Sequence, residues 1–274
     1  MNKPLASVII TTYNKPEFLK LVLLSYDLQT VKNFELIIAD DGSGDETKQV
    51  IEDFKEKTNL IIIHVWHEDK GFRKTEILNK AILKTNSEYL IFTDGDCIAR
   101  KDFVETHLSL QKENSVVSGG YFKLTQEVSE KITNKVVENQ GCFNKNWLLS
   151  HGQPKSFKLN KLTKHKFKAK FLNAVTPTKA TFDGMNVSCW KKDMLAVNGF
   201  NEQMKYGGLD REVGERMMNK GMTFLQIRYS AICVHLHHNR PYKNEETLKL
   251  NKKIRQNNKK NKTVVTKFGI TKYE

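Results

Sequence analysis

Two aspartates separated by one glycine, Asp94-Gly95-Asp96, close an apolar run that begins at Tyr89. Residues two apart on an extended chain project to the same side. Carboxylates held that close repel unless something positive lies between them, and a hard divalent cation with oxygen ligands meets the need. Such a cation could in turn hold a diphosphate, and the glycine lets a ligand approach the backbone. An ordinary strand followed by an Asp-Gly turn has the same letters. Further along, His235, His237 and His238 follow the apolar run 231–234. Imidazoles grouped at a strand end suit a metal, and solvated histidines on a surface are the plain alternative. Asp40 and Asp41 end a third apolar run, where turn chemistry is again the simpler account. Asp210 follows Gly207-Gly208 at the head of a helical segment. Helix starts favour acids.

These residues need elements to hold them. The β-branched run 6–10 reads as a first strand, followed by a polar loop, Thr11 to Asn14. Asn14 is expected to cap a helix with Pro16 and Glu17 in its first turn. Strands are expected at 34–39 and 60–65, a helix capped by Asp45 lies between them, and another helix opens at Gly71. The strand carrying Asp94 and Asp96 is the fourth, and Asp102 is expected to cap the next helix. This alternation predicts an α/β fold with a doubly wound, mostly parallel, Rossmann-like sheet and right-handed crossovers. Ligands collect beyond the carboxyl ends of such strands, where three polar clusters fall. The first loop carries neither Gly-x-Gly-x-x-Gly nor Gly-Lys-Ser/Thr, which argues against a dinucleotide fold and a P-loop.

Composition narrows the partners. Charged residues make up 28% of the 274, the hydrophobic set 39%, and the net charge is +14. Phosphate-bearing substrates, an anionic membrane surface and nucleic acid all fit that charge. The lysine tracts lack the interleaved aromatics of a nucleic-acid stacking surface, so no nucleic acid is expected. The four cysteines are widely spaced and read as reduced thiols in a cytoplasmic protein. The apolar run at 5–10 is too short for a leader, and no stretch is long enough to span a bilayer.

The residues resemble the family 2 glycosyltransferases with the GT-A fold. The resemblance is carried by Ser-Val-Ile-Ile-Thr-Thr-Tyr-Asn (7–14), Ile-Ile-Ala-Asp-Asp-Gly-Ser (37–43), Glu-Asp-Lys-Gly-Phe-Arg (68–73) and Phe-Thr-Asp-Gly-Asp-Cys (92–97). A second group is similar to the C-terminal portion of galactosyltransferase-like and chondroitin-polymerase-like enzymes: Gly-Met-Asn-Val-Ser (184–188), Gly-Gly-Leu-Asp-Arg-Glu (207–212) and His-Leu-His-His (235–238). The resemblance implies a UDP-sugar donor and a divalent cation, Mn2+ or Mg2+. By position it places Thr11, Tyr13, Asp40 and Asp41 at the uracil and ribose, with the second Asp favoured. Asp69 and Arg73 fall near the base or phosphates, Asp94 at ribose or sugar, and Asp96 on the metal with His235 or His238. Asp183, Asn186, Tyr206, Gly207 and Gly208 fall at the acceptor or donor sugar. Asp210 matches the catalytic base of an inverting transfer to a glycan or glycolipid. The usual Gly-Gly-Glu-Asp is altered, because Leu209 stands where relatives have the Glu that touches the acceptor.

The expected organisation is a nucleotide-sugar half, 1–115, and an acceptor and catalytic-base half, 116–240, of one GT-A domain. A basic tail, 241–274, follows as a candidate for peripheral contact with the anionic inner face of the membrane. Residues 151–182 contain no acid and recurring lysines. They read either as a mobile loop over the ligands or as a solvated basic loop.

Overall fold

The computed structural model describes residues 3–239 and 244–273. The expected start of the tail at residue 241 lies outside them. Among the described residues ten strands form two sheets. Four parallel strands come first: β1 (Ser7–Thr12), β2 (Glu35–Asp40), β3 (Ile61–Trp66) and β4 (Tyr89–Asp94). Helices Pro16–Asp27, Asp45–Lys55 and Lys74–Leu83 link them in turn. After β5 (Cys97–Ala99) come β6 (Ser115–Ser118), β7 (Gly120–Lys123), β8 (Val187–Trp190), β9 (Thr223–Gln226) and β10 (Ile232–His235). The large sheet runs β3-β2-β1-β4-β8-β6-β9. Within it β8 is antiparallel to β4 and to β6, and β9 is parallel to β6. The expected doubly wound, mostly parallel sheet is therefore present, extended by β8, β6 and β9.

The inner strands are apolar throughout because both of their faces are covered. Alternate residues sort cleanly: Val8, Ile10, Leu36, Ile38 and Ile91 pack into one core layer. Ile9, Ile37, Leu90 and Phe92 pack into the other. β3 lies at the edge, and Ile61 and Trp66 are exposed there.

The small sheet, β5-β10-β7, was not anticipated. Its strand β5 is only three residues long, too short for any periodic signal. Three helix starts also differ from expectation. Asn14 has a positive φ of 45° and caps nothing. Instead its side-chain oxygen accepts from Gly44 N at 2.9 Å, and its N–H donates to Ser43 Oγ at 2.9 Å, tying the first loop to the second. Asp45 lies inside its helix behind Gly44. Asp102 precedes its helix without a side-chain cap, its carboxylate being taken by Arg100.

The basic segment 151–182 is neither wholly loop nor featureless. It contains the 3-10 turn Phe157–Leu162 and the helix Lys166–Val175. The segment after residue 244 forms the helix Glu245–Lys260, which Asn244 caps by accepting from Glu246 N and Thr247 N. That helix is anchored to the body by Asn251, which is buried, and by Ile254 packed on the second core layer.

Candidate active site

A cleft of about 1290 Å3 opens beyond the carboxyl ends of β1, β2 and β4. Three strand ends supply its floor. From β1 come Thr11 and then Tyr13, from β2 comes Asp41, and from β4 come Asp94 and Asp96. Asp94 Oδ1 accepts from Thr11 Oγ1 at 2.6 Å and from Lys74 Nζ at 2.6 Å. Asp41 is almost fully buried, with Oδ1 paired to His67 Nε2 at 2.7 Å and Oδ2 accepting from Arg73 N at 3.0 Å. Burial pushes its carboxyl above the usual range, with His67 and the Arg73 N–H opposing. The Tyr13 ring is half exposed at the lip, and its hydroxyl donates to Asp69 Oδ2 at 2.9 Å.

The Gly95 backbone lines the cleft, and its lack of a Cβ is also needed for packing. A Cβ there would lie 2.9 Å from Thr11 O, to which Gly95 N donates at 2.7 Å. The glycine lets β4 turn against the end of β1.

The small sheet assembles the metal-type cluster. β10 pairs antiparallel with β5, placing His235 opposite Cys97, and Leu236 N donates to Asp96 O at 2.9 Å. Asp96 is thereby brought to two imidazoles. His238 Nε2 lies 2.9 Å from Asp96 Oδ2, and His235 Nε2 lies 3.8 Å from Oδ1. One ligand atom from each of the three residues falls within a 4.8 Å span. The histidine rings stack at 5.4 Å with 22° between planes. Burial alone would raise the Asp96 carboxyl, but the His238 hydrogen bond and both imidazoles hold it down at about 2. The Asp96 hydrogen bond raises His238 in turn, against burial. One carboxylate oxygen and two ring nitrogens, all deprotonable at neutral pH, form a donor set that fits a divalent cation.

Asp210 arrives from the other side of the chain. It occupies the first turn of the helix Leu209–Asn219, entered through Gly207 and Gly208 at φ 100° and 82°. Its Oδ1 is buried and has no hydrogen-bond partner. It rests against Gly184, where an added Cβ would sit 2.7 Å from that oxygen, so a larger residue at 184 would displace the carboxylate. Burial raises the Asp210 carboxyl to about 7; Lys74 pulls it down, while Asp94 and Asp183 push it up. Asp183, also in the cleft, is raised by burial and by Asp94. Lys74 carries the opposite charge among these acids. Burial pulls its ammonium down, but Asp94, Asp210 and Asp96 more than offset that and hold it protonated.

Another wall of the cleft is formed by Tyr206, Gly207, Gly208 and Leu209, and by Leu248, Lys252 and Arg255 of the helix Glu245–Lys260. Asn251 Nδ2 donates to the carbonyls of Lys205, Tyr206 and Gly207 at 3.1, 3.0 and 2.8 Å. Below, the buried ion pair Glu212–Arg216 accepts Asn258 Nδ2 at 2.7 Å and reaches the carbonyls of Val197 and Gly199. The segment expected as a tail is thus one wall of the cleft. Lys74 and Asn251 are among the polar residues that sequence reasoning missed. Lys74 stands one residue beyond the 68–73 match, which is the one signal that pointed to it.

Four expected site residues are placed otherwise. Asp40 is fully buried outside the cleft, bonded to His64 Nε2 at 2.9 Å and Ser43 N at 2.8 Å, which is turn and packing chemistry. Asn186 is also fully buried. Its amide donates to Gly120 O and Ala231 O at 2.7 and 3.0 Å and accepts from His107 at 2.8 Å, so it joins the two sheets and has nothing left for a sugar. The Arg73 guanidinium turns away to Glu76 and the Glu68 carbonyl, and only its N–H serves the site, through Asp41. Asp69 meets the cleft only through Tyr13 and otherwise accepts from Gly71 N at 2.9 Å.

The family model described as glycosyl transferase family 2 matches residues 7–177, and that described as the N-terminal domain of galactosyltransferase matches 168–239. Among curated relatives, an uncharacterized glycosyltransferase of Bacillus subtilis, YfnE, is 29% identical over 90% of this chain and 68% of its own length. Chondroitin synthase of Escherichia coli is 25% identical over 84% of this chain. Validoxylamine A glucosyltransferase of Streptomyces hygroscopicus is 28% identical over 83%. The chain spans 34% of the length of the chondroitin synthase and 54% of that of the glucosyltransferase. Among solved structures, Staphylococcus aureus TarS 1-349 with UDP-GlcNAc superposes with a TM-score of 0.59 at 16% identity, over 91% of this chain and 66% of that one. A Pyrobaculum calidifontis mannosyltransferase in complex with GDP-Man and Mn2+ gives 0.57 at 18%, over 88% and 59%. Those likenesses show the GT-A fold. With the family model covering the first-half strand-end acids and the second model covering the region from Asp183 through Asp210 to the histidines, this chain belongs to glycosyl transferase family 2.

Proposed function

We propose that the chain is an inverting, metal-dependent hexosyltransferase. It moves a hexose or N-acetylhexosamine from a UDP-sugar to a glycan or glycolipid of a surface polysaccharide, such as lipopolysaccharide or capsule. The observation that carries the reading is the unpartnered, buried Asp210 oxygen in the same cleft as the Asp96–His235–His238 cluster. A carboxyl raised to about 7 is matched to proton transfer near neutral pH. Asp210 takes the proton of the acceptor hydroxyl as that oxygen bonds to the anomeric carbon. The bond from that carbon to the diphosphate breaks, and the nucleoside diphosphate leaves with the electron pair. Asp96, His235 and His238 would hold the divalent cation, which when bound neutralises charge on the leaving diphosphate. Lys74 keeps a positive charge beside Asp94, and Asp41 and Tyr13 border the nucleoside. Tyr206 offers an aromatic face to a sugar ring, and apolar Leu209 replaces the acid that relatives present to the acceptor. This reading also implies contact with an anionic membrane surface when the acceptor is a glycolipid.

The test is thermal unfolding with a panel of nucleotide sugars, with and without Mn2+, alongside release of free nucleotide. UDP-sugar and Mn2+ together should raise Tm more than either alone, and His235→Ala/His238→Ala should abolish the joint effect. A response to GDP-sugars in place of UDP-sugars would overturn the donor assignment. A metal-independent response would overturn the cation's role.

A further inference from the structure

The helix Lys166–Val175 leaves Phe167 91% exposed, Phe171 65% and Val175 55%. Residues four apart share a helical face, so the three form one apolar stripe. The opposite face is committed to the protein. Ala169 is buried, Asn173 Nδ2 donates to Ser230 Oγ at 2.9 Å, and Asn173 Oδ1 accepts from Tyr229 N at 2.9 Å. Exposed Lys168 and Lys170 flank the stripe, and exposed Lys166 opens the helix. Phe157, in the preceding 3-10 turn, is 70% exposed. The surrounding segment, 151–182, carries lysines at 155, 158, 161, 164, 166, 168, 170 and 179 and no acid.

We propose that this helix is an interfacial anchor that lies on an anionic bilayer, with Phe167, Phe171 and Val175 entering the acyl boundary and the lysines meeting the headgroups. Charge and apolarity together select that occupant. A soluble polyanion would answer the lysines and leave three large apolar side chains in water. A neutral protein surface would cover the apolar stripe and leave the lysines unmatched. An anionic membrane satisfies both. The C-terminal helix, the expected membrane contact, is a weaker candidate because Leu248, Lys252 and Arg255 face the cleft. The anchor deepens the membrane contact named above and rests on that part of the reading, while its test uses neither donor nor metal.

The experiment is vesicle sedimentation of the whole chain with phosphatidylglycerol–phosphatidylcholine vesicles and with pure phosphatidylcholine vesicles. Binding to the first and not the second is expected. Phe167→Ser/Phe171→Ser should weaken it by at least about tenfold. Lys166→Gln/Lys168→Gln/Lys170→Gln should weaken it by about fivefold per lysine in contact. Both variants change exposed side chains and should keep the wild-type Tm, which is measured alongside. Lys249→Gln/Lys253→Gln/Lys259→Gln on the C-terminal helix should bind as wild type does. Three results would each overturn the proposal: no binding to anionic vesicles, binding that the phenylalanine variant retains, or binding lost only with the C-terminal lysines. So would oligonucleotide binding or self-association that depends on both phenylalanines in a chain that ignores vesicles.

Discussion

Asp210→Asn should make the protein more stable and less active, and the two effects share one cause. In the folded chain burial holds the Asp210 carboxyl up at about 7, with Lys74 opposing and Asp94 and Asp183 adding to the rise. An unfolded aspartate titrates near about 3.9. Between those values the native state binds a proton that the unfolded chain does not, so stability falls as pH rises from about 4 to about 7. A gap of about three pH units amounts to roughly 4 kcal/mol once both states are ionised. Asparagine keeps the neutral form at every pH. The variant should therefore exceed the wild type by up to about 4 kcal/mol at pH 8 and by little near pH 4. Urea unfolding at the two pH values, without donor or metal, measures the difference. Each kcal/mol should also move Tm by roughly 2–4 °C in a chain of this size. Transfer, followed as release of nucleoside diphosphate, should drop by about 10²–10⁴-fold, the usual contribution of a general base. A variant no more stable than wild type at pH 8 would refute the account of a carboxylate held against its charge. Retained transfer would refute its role as the base.

Lys74→Met removes the positive charge bonded to Asp94 and opposing the rise at Asp210. The acidic limb of the rate profile should move up by about 1–3 pH units, with most of the lost activity recovered toward high pH; equal loss at every pH would show that Lys74 acts otherwise. Asn251→Ala strips one amide from three carbonyls of the Lys205–Gly207 loop. It should cost about 1–3 kcal/mol in urea unfolding and raise the acceptor KM more than it lowers kcat, and an unchanged KM would mean that the loop does not meet the acceptor.

Much of this architecture was legible in the amino-acid sequence because it rests on local repetition. Buried parallel strands must be apolar along their whole length, so β1, β2 and β4 stand out, and the polar residues that end them mark the sheet edge where ligands gather. Thr11, Tyr13, Asp41, Asp94, Asp96, Asp183, Asp210 and the two histidines do line one cleft. Adjacent letters could not show which member of a pair faces inward. For Asp40 and Asp41 the resemblance favoured the second, and Asp41, just past the end of β2, does reach the cleft, while Asp40, the last residue of the strand, is bonded to His64 and Ser43. Asn186 has the chemistry of a sugar contact, but the junction of two sheets claims its whole amide.

Long-range pairing decided the rest. Asp96 meets His235 because the three-residue β5 pairs with β10, a match between segments more than a hundred residues apart that no local period encodes. Lys74 gains its position from the helix that follows β3, and its charge matters only because Asp94 and Asp210 converge on it from distant parts of the chain. The C-terminal helix reads as a basic tail because its apolar content is low. One buried asparagine against three carbonyls, with Asn258 on Glu212 and Arg255 on Glu215, holds it as a wall of the site, and hydrogen-bond complementarity of that kind leaves no hydrophobic pattern in the sequence.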